Sequence, residues 1–575
     1  MDFVKKKTAE LISEALALLN TENAPDTAVI TASLEYPPAP ENGDLAFPCF
    51  RLSKIMRKPP NIIAQDIKSC IRTGGIIERA ETAGGYLNFY FNRSEFLRLM
   101  LGEILEKRDR YGASSEGNGK TVVLDYSSPN VAKPFHIGHL GTTVIGHSLK
   151  KLHEFAGYKC VGVNHLGDWG TQFGKLIVAY RKWGDRQTVI DNGIDELVRL
   201  YVRFHAEAEA DPALDDLARA EFTKLEHGDE ENRKLWKWFV EISLTEYKKT
   251  YSQLGIEFDS YCGESFYYDR TPALLEQMKA RGILKIDDGA TIVKLEEFDM
   301  PPFLLIKSDG STLYSIRDIA AAIYRKETYD FVKCIYVTDA GQSLHFKQLA
   351  KVISLLGYDW DDQIVHVPYG KVSIGGKKLA TRTGNVVLLK DLFHTAIEKV
   401  SSIIEEKNPG LENKAEVSEA VGVGAIVYNY LSGSRIKNID FTIEDALSFD
   451  GNTGPYAQYT YARTCSIISK LGGDRSYRLD TDKIRVTADE EFELIKTLAL
   501  FPEKVKAALD GYEPSLITRY IFDTATAFNR FYHNCQVLAA DDAGVRSTRL
   551  MLTEATGHVL KSAFGLICMK APEKI

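Results

Sequence analysis

The segment Ser128-Pro129-Asn130-Val131-Ala132-Lys133-Pro134-Phe135-His136-Ile137-Gly138-His139-Leu140 decides the fold. Just before it, Thr121 to Tyr126 (TVVLDY) is a strand-like run. Beyond it, Leu140, Val144, Leu149 and Leu152 keep a helical apolar spacing, and Gly157 stands where a helix stops. Strand, tight turn and helix N-terminus is how a doubly wound sheet holds phosphate, because unpaired N–H groups and the helix dipole favour an anion there. Pro134 sits in the turn at no hydrogen-bond cost, and Gly138 lets a nucleotide approach the backbone closely. His136 and His139, three apart at the helix mouth, are placed to donate to phosphate oxygens and to stabilise the charge of a leaving pyrophosphate. An isolated pair of histidines there is more often a cap or a surface feature. Asn130, Lys133 and the preceding strand favour a nucleotide-binding turn.

A His-Ile-Gly-His after a strand resembles the signature of class I aminoacyl-tRNA synthetases. The longer SSPNVAKPFHIGHL is similar to that of the arginyl-tRNA synthetases in particular. The resemblance covers essentially the whole chain. It implies a multidomain α/β protein: a class I Rossmann-type parallel-sheet catalytic domain, an N-terminal α+β domain and a C-terminal all-α anticodon-binding domain. It also implies that ATP is held by Pro129, Phe135, His136, Gly138 and His139.

Composition agrees with a large globular enzyme. The 575 residues suffice for three or four domains, and 44% hydrophobic with 26% charged residues is ordinary for a soluble protein. No apolar run is long enough to span a membrane, and the start MDFVKKKTAELISEALALLN is charged too often for a secretory signal. The eight cysteines are scattered with no C-x-x-C, so neither a zinc site nor a disulfide framework is expected, and a cytoplasmic location is. A net charge of −8 argues against a general nucleic-acid coat protein but leaves room for RNA held by a local basic track.

Residues 1–115 read as a separate α+β module with helices from Val4 to Leu19 and from Asn61 to Arg72. Its strand GGYLNFYF places Phe89 and Phe91 on one face and Tyr86 and Tyr90 on the other. Only the resemblance makes this module a tRNA-binding domain. Residues 116–390 form the expected catalytic domain, with a helical insertion at about 185–300 whose Trp236, Trp238 and Phe239 read as core. A second strand, Tyr158 to Val163, leads into a polar loop in which Asn164, His165, Asp168 and Gln172 are expected to line the site, since C-terminal strand ends face the ligand crevice. A connecting helical segment (391–440) precedes a helical anticodon-binding domain (441–575). In that domain's entry, Gly451 to Arg463, aromatics interleave with a cation. Helix core or RNA stacking would both explain those rings.

The second half of the sheet carries the substrate expectation. In Ser311 to Asp318, Tyr314 and Asp318 lie four apart, on one face if helical. A guanidinium is always charged and offers a fork of donors, so it calls for a planar carboxylate acceptor. Asp318 is the first choice, with Tyr314 stacking or hydrogen bonding. Gln342 and Asn130 are expected to hold the amino-acid backbone, Asp125 its ammonium, and His139 to share the pocket. These positions match those the family assigns to arginine, except that glutamate is common where Asp125 stands. Asp318 by itself would more often be an ion-pair partner of Arg317 or Arg325, but the joint pattern favours the pocket.

Gly375 to Asn385 (GGKKLATRTGN) reads as a solvated hairpin or a mobile phosphate clamp. By resemblance it is a degenerate KMSKS loop, in which Lys378, Thr381 and Arg382 would contact ATP, Lys378 and Arg382 in a catalytic role. Lys133, just before HIGH, would compensate for the missing lysine. Gly141 replaces an arginine common in the family and should cost the helix about 1 kcal/mol relative to alanine.

The resemblance therefore implies arginine activation by ATP with Mg2+, transfer to the terminal adenosine of tRNA(Arg), tRNA-dependent activation and a monomer. His136, His139, Lys133 and the basic loop would stabilise charge. Two rivals are a HIGH-type nucleotidyltransferase, which leaves residues 440–575 unexplained, and an inactive paralogue that only binds tRNA or regulates.

Overall fold

The structure is a computed structural model and describes residues 1–374, 377–378, 387–474, 476–478 and 484–575. The chain divides into two compact units. One comprises Ala113–Tyr459, Ala507–Arg519 and Ala563–Ile575; the other comprises Met1–Gly112, Thr460–Lys506 and Tyr520–Ser562.

The larger unit is built on a parallel sheet. Its strands are β1 (Thr121–Asp125), β2 (Lys159–Val163), β3 (Lys333–Asp339) and β4 (Ile364–Tyr369), in the order β4-β3-β1-β2. Val123 of β1 lies opposite Val161 of β2 and Cys334 of β3. Val122, Val123 and Leu124 are fully buried, as expected of a central parallel strand covered on both faces. The chain leaves β1 towards β2 and leaves β3 towards β4, in opposite directions. That makes the C-terminal ends of β1 and β3 the topological switch point, where an open α/β sheet binds its ligand.

Six helices matter for the site: α1 (Ile137–Phe155), α2 (Thr171–Trp183), α3 (Glu230–Leu254), α4 (Glu264–Tyr268), α5 (Tyr314–Tyr329) and α6 (Ser343–Leu355). Helix α1 begins at Ile137, a turn before the first apolar residue of the sequence pattern, and ends at Phe155, with Gly157 two residues beyond at φ of +86°. The insertion is helical through Leu254, as the sequence suggests. Two shorter helices, α4 and Thr271–Ala280, follow, but the chain then leaves the helical pattern: Leu284–Asp287, Ala290–Val293 and Phe303–Ile306 form an antiparallel three-stranded sheet. The signal was present in Asp288-Gly289, where both residues take positive φ (45° and 78°) in a tight hairpin.

The smaller unit contains an antiparallel sheet in the order Leu45–Pro48, Tyr86–Phe91, Ile77–Ala83. Phe89 and Phe91 are buried while Tyr86 is exposed, in keeping with the alternation of that strand. The unit also takes in Asp489–Ala499 and parts of Ser515–Asn534 and Ala543–Leu566. Edge-on packing of Phe96 against Phe492, 5.8 Å between centroids, and a 3.0 Å ion pair between Asp44 and Lys496 join its two sequence-distant parts. Helix Gly454–Ser469 buries Tyr461 and exposes Tyr459, so core packing and surface display share the aromatics of that stretch. Among the described residues, no helix is long and apolar enough to cross a membrane.

Candidate active site

The turn between β1 and α1 is held in an unusual backbone conformation. Ser127, Ser128 and Ala132 have φ of 70°, 46° and 58°, a region that side chains other than glycine disfavour. Each such residue costs on the order of 1–3 kcal/mol and persists only where its surroundings over-determine it. The surroundings here do so. The Ser127 amide donates to Thr142 Oγ1 (3.1 Å), and Thr142 Oγ1 donates to the Val337 carbonyl of β3 (2.7 Å). Thr143 donates to Ser127 Oγ at 2.9 Å. Ser128 Oγ donates to Asp125 (2.8 Å) and accepts from the His165 amide (3.1 Å).

The two histidines close the turn as a mutual cap. The His136 amide donates to His139 Nδ1 (3.2 Å), and the Gly138 amide donates to His136 Nδ1 (3.0 Å). With Nδ1 of each ring accepting, the ring hydrogen of the neutral form sits on Nε2, leaving one Nε2–H donor per ring. Burial, reinforced by Lys133, lowers the His136 pKa to about 4. Burial and then His136 lower that of His139 to about 3. The rings lie 3.9 Å apart between centroids, and Phe135 stacks on His139 at 5.1 Å. Two neutral donors at a helix N-terminus suit a polyphosphate. Residues 387–389 pair with this turn: the Ile137 amide donates to the Val387 carbonyl (3.2 Å) and the Leu389 amide to the Phe135 carbonyl (3.0 Å).

Across the switch point lies an acidic pocket. Asp318, on α5, accepts from His345 Nε2 of α6 at 2.7 Å, and His165 Nε2 stands 3.8 Å from its other oxygen. Burial would raise the Asp318 pKa, but the His345 hydrogen bond and the nearby His165 and Arg325 outweigh it and hold the carboxyl below its usual value. Both arginines that could have neutralised Asp318 are engaged elsewhere. Arg325 pairs with Asp125 at 2.8 Å and Arg317 with Glu264 at 2.9 Å. Asp318 is thus the one of these three carboxylates whose described ion-pair partners are histidines alone, and it keeps about a fifth of its side-chain surface exposed (21%). Tyr314, half exposed, lies on the same helical face, its ring 5.0 Å from His345. Gln342 is exposed at the mouth, immediately before α6.

Family models match the chain in three stretches: "tRNA synthetases class I (R), catalytic domain" over residues 100–443, "DALR anticodon binding domain" over 457–575 and "Arginyl tRNA synthetase N terminal domain" over 6–91. The chain belongs to the arginyl-tRNA synthetase family. The arginine–tRNA ligase of Halothermothrix orenii is 48% identical over the full length of both chains. The arginyl-tRNA synthetase structure from Thermus thermophilus superposes with a TM-score of 0.80 at 25% identity, covering 99% of this chain and 100% of that one. That from Plasmodium falciparum gives 0.80 at 26% identity, covering 100% and 99%.

Within the family framework, several expected site residues take other parts. Asp125 is not an open carboxylate for an ammonium. It is 9% exposed and committed to Arg325 and Ser128. Asn164 is fully buried and donates to Tyr251 Oη (3.0 Å). Asp168 is also buried, and accepts from the Ser265 amide (2.9 Å) and hydroxyl (2.6 Å), holding the start of α4 and hence Glu264. Both support the site rather than line it. Gln172 donates to the Gly167 carbonyl (3.2 Å), and Asn130 bridges the same residue while remaining exposed. Pro129 is buried, and its carbonyl accepts from the Gly167 amide (3.1 Å). Lys133 is half-buried beside the histidines. Of the basic loop, Thr381 and Arg382 lie outside the described residues, and Lys378 is described only as backbone in a short strand with Lys377.

Sequence reasoning did not single out His345 or Glu264, and it set Arg325 against Asp318 rather than Asp125; these three make the pocket's charge pattern. It also missed the stripe Ser243, Tyr247, Tyr251 on α3. Their four-residue spacing was legible. Their long-range partners were not.

Proposed function

We propose that this chain activates L-arginine with ATP and Mg2+, giving arginyl-adenylate and pyrophosphate, and then esterifies the 3′-terminal adenosine of tRNA(Arg). The carrying observation is Asp318, a carboxylate whose neighbouring arginines both pair elsewhere. A guanidinium, permanently charged and planar, complements it. Tyr314 flanks the side chain, while Gln342 and Asn130 hold the amino-acid end. The substrate carboxylate attacks the α-phosphorus and pyrophosphate leaves, so no side-chain nucleophile is needed. The protein supplies positioning and charge stabilisation. His136 and His139 donate from Nε2, Lys133 adds a positive charge, and Lys378, Thr381 and Arg382 complete the ATP contacts. Mg2+ arrives with ATP as part of the substrate. In this reading residues 1–115 and 441–575 bind tRNA, activation requires bound tRNA, and the enzyme is a cytosolic monomer.

ATP–pyrophosphate exchange, run with each standard amino acid in turn and with or without total tRNA, tests the reading. Exchange with arginine alone, and only with tRNA present, is the expected result. Exchange with another amino acid would remove Asp318 from its assigned role, and exchange without tRNA would remove the dependence on tRNA.

A further inference from the structure

Helix α3 belongs to the insertion, yet three of its side chains, spaced four residues apart, reach the nucleotide-binding turn. Ser243 Oγ accepts from the Ala132 amide at 3.1 Å. Tyr247 Oη lies 2.8 Å from both the Asn130 and the Lys133 carbonyls and donates to them. The Tyr251 hydroxyl is 2.7 Å from Ser127 Oγ and accepts from Asn164 (3.0 Å). All three side chains are buried. Two of the contacts fall on residues with positive φ, Ser127 and Ala132, and the third brackets Ala132 from both sides. The rings of Tyr247 and Tyr251 also pack on Phe135, 5.4 and 5.5 Å between centroids. A helix core would explain buried rings. It would not explain three hydroxyls on one face, each bonded to the same distant turn.

We infer that Ser243, Tyr247 and Tyr251 are positioning residues for adenylate formation, and that Tyr247 fixes the Asn130–Lys133 backbone so that Lys133 and the His136–His139 pair meet the triphosphate together. The inference rests on the nucleotide reading of that turn. It makes the insertion part of the catalytic apparatus, because any rotation of α3 moves all three hydroxyls against the turn. Carbonyls released from Tyr247 would let the turn relax towards ordinary φ values and carry Lys133 with it.

The test is steady-state exchange kinetics of Tyr247→Phe and Ser243→Ala, with exposed Thr245→Ala on the same helix as control. Tyr247→Phe should lower kcat at least about tenfold, the size of loss that a small misplacement of reacting groups produces. Its KM for arginine should stay within about threefold, since the guanidinium anchor is on α5. Its melting midpoint should stay within about 3 °C of the parent. In a Lys133→Ala background the Tyr247→Phe loss should largely vanish, because both changes remove the same placement. Wild-type kcat in both Tyr247→Phe and Ser243→Ala, or losses that multiply in the double variant, would overturn the inference. If Tyr247→Phe fails to fold, Ser243→Ala carries the same comparison. A silent Lys133→Ala would likewise overturn the inference as stated, because it routes the effect of Tyr247 through the placement of Lys133.

Discussion

At the scale of single residues, the pocket's charge pattern turns on which carboxylates an arginine neutralises. Asp125, Glu264 and Asp318 face Arg325 and Arg317, and the two arginines take the first two. Asp318→Asn keeps the size and the planar oxygen but removes the charge, so it should raise the KM for arginine by roughly 100-fold, about the worth of a charge-assisted bidentate contact. Exchange kinetics at varied arginine would check this, and an unchanged KM would remove Asp318 from the pocket. That Tyr314 and Asp318 share one helical face was legible from their four-residue spacing. The fate of Asp125 was not. Its partner Arg325 lies 200 residues away on α5, and only the sheet order, which brings α5 against β1, makes the pairing possible. The positive φ of Ser127 and Ser128 was equally invisible, because nothing in a Ser-Ser pair announces it. Distant hydroxyls impose it.

At the scale of elements, Gly141 shows how packing overrides propensity. It lies in the first turns of α1, where glycine is a poor helix residue. A Cβ built there would stand 2.2 Å from the hydroxyl of buried Tyr430 on helix Lys414–Leu431. Gly141→Ala should therefore destabilise by about 1–3 kcal/mol through overpacking, although the helix term alone favours alanine by about 1 kcal/mol. A double-mutant cycle decides the cause. In Tyr430→Ala the cost of Gly141→Ala should disappear, and a cost that persists there would show that Tyr430 is not the obstacle. Elements with strong local signals were readable: β1, α1 with its glycine stop, α5, and the strand holding Phe89 and Phe91. The antiparallel strands at 284–306 offered only the Asp288-Gly289 turn as a signal, and were otherwise short, partly exposed and next to a helical insertion. Likewise, no local pattern could join residues 1–112 to 460–506 and 520–562 in one unit, since the sequence between them says nothing of their contacts.

At the scale of the whole molecule, burial of neutral imidazoles sets how the fold responds to acid. Burial lowers the pKa of His136 to about 4, His139 to about 3, His147 to about 3, His153 to about 4 and His366 to about 4. His147 Nδ1 is 3.0 Å from the Tyr126 hydroxyl, and His153 donates from Nδ1 to the Leu149 carbonyl at 2.7 Å, its Nε2 buried without a partner among the described residues. Unfolding returns each ring to an ordinary pKa near 6.5. Above that value both states are neutral and the rings add no pH dependence. As the pH falls from about 6.5 to about 4, the unfolded chain takes up protons that the folded chain refuses, so stability is lost on the acid side. For the deeply buried His147 and His153 the loss at pH 5 is on the order of 1–2 kcal/mol each. The melting midpoint should thus fall between pH 7 and pH 5, and the fall should be smaller in His153→Gln, which cannot titrate. A midpoint that stays flat over that interval would mean that these rings find compensating partners when protonated. A fall that His153→Gln leaves unchanged would shift the effect to the remaining histidines. The same burial bears on function: with pKa values lowered to about 4 and about 3, His136 and His139 are neutral at pH 7 in the free protein, each with its ring hydrogen on Nε2.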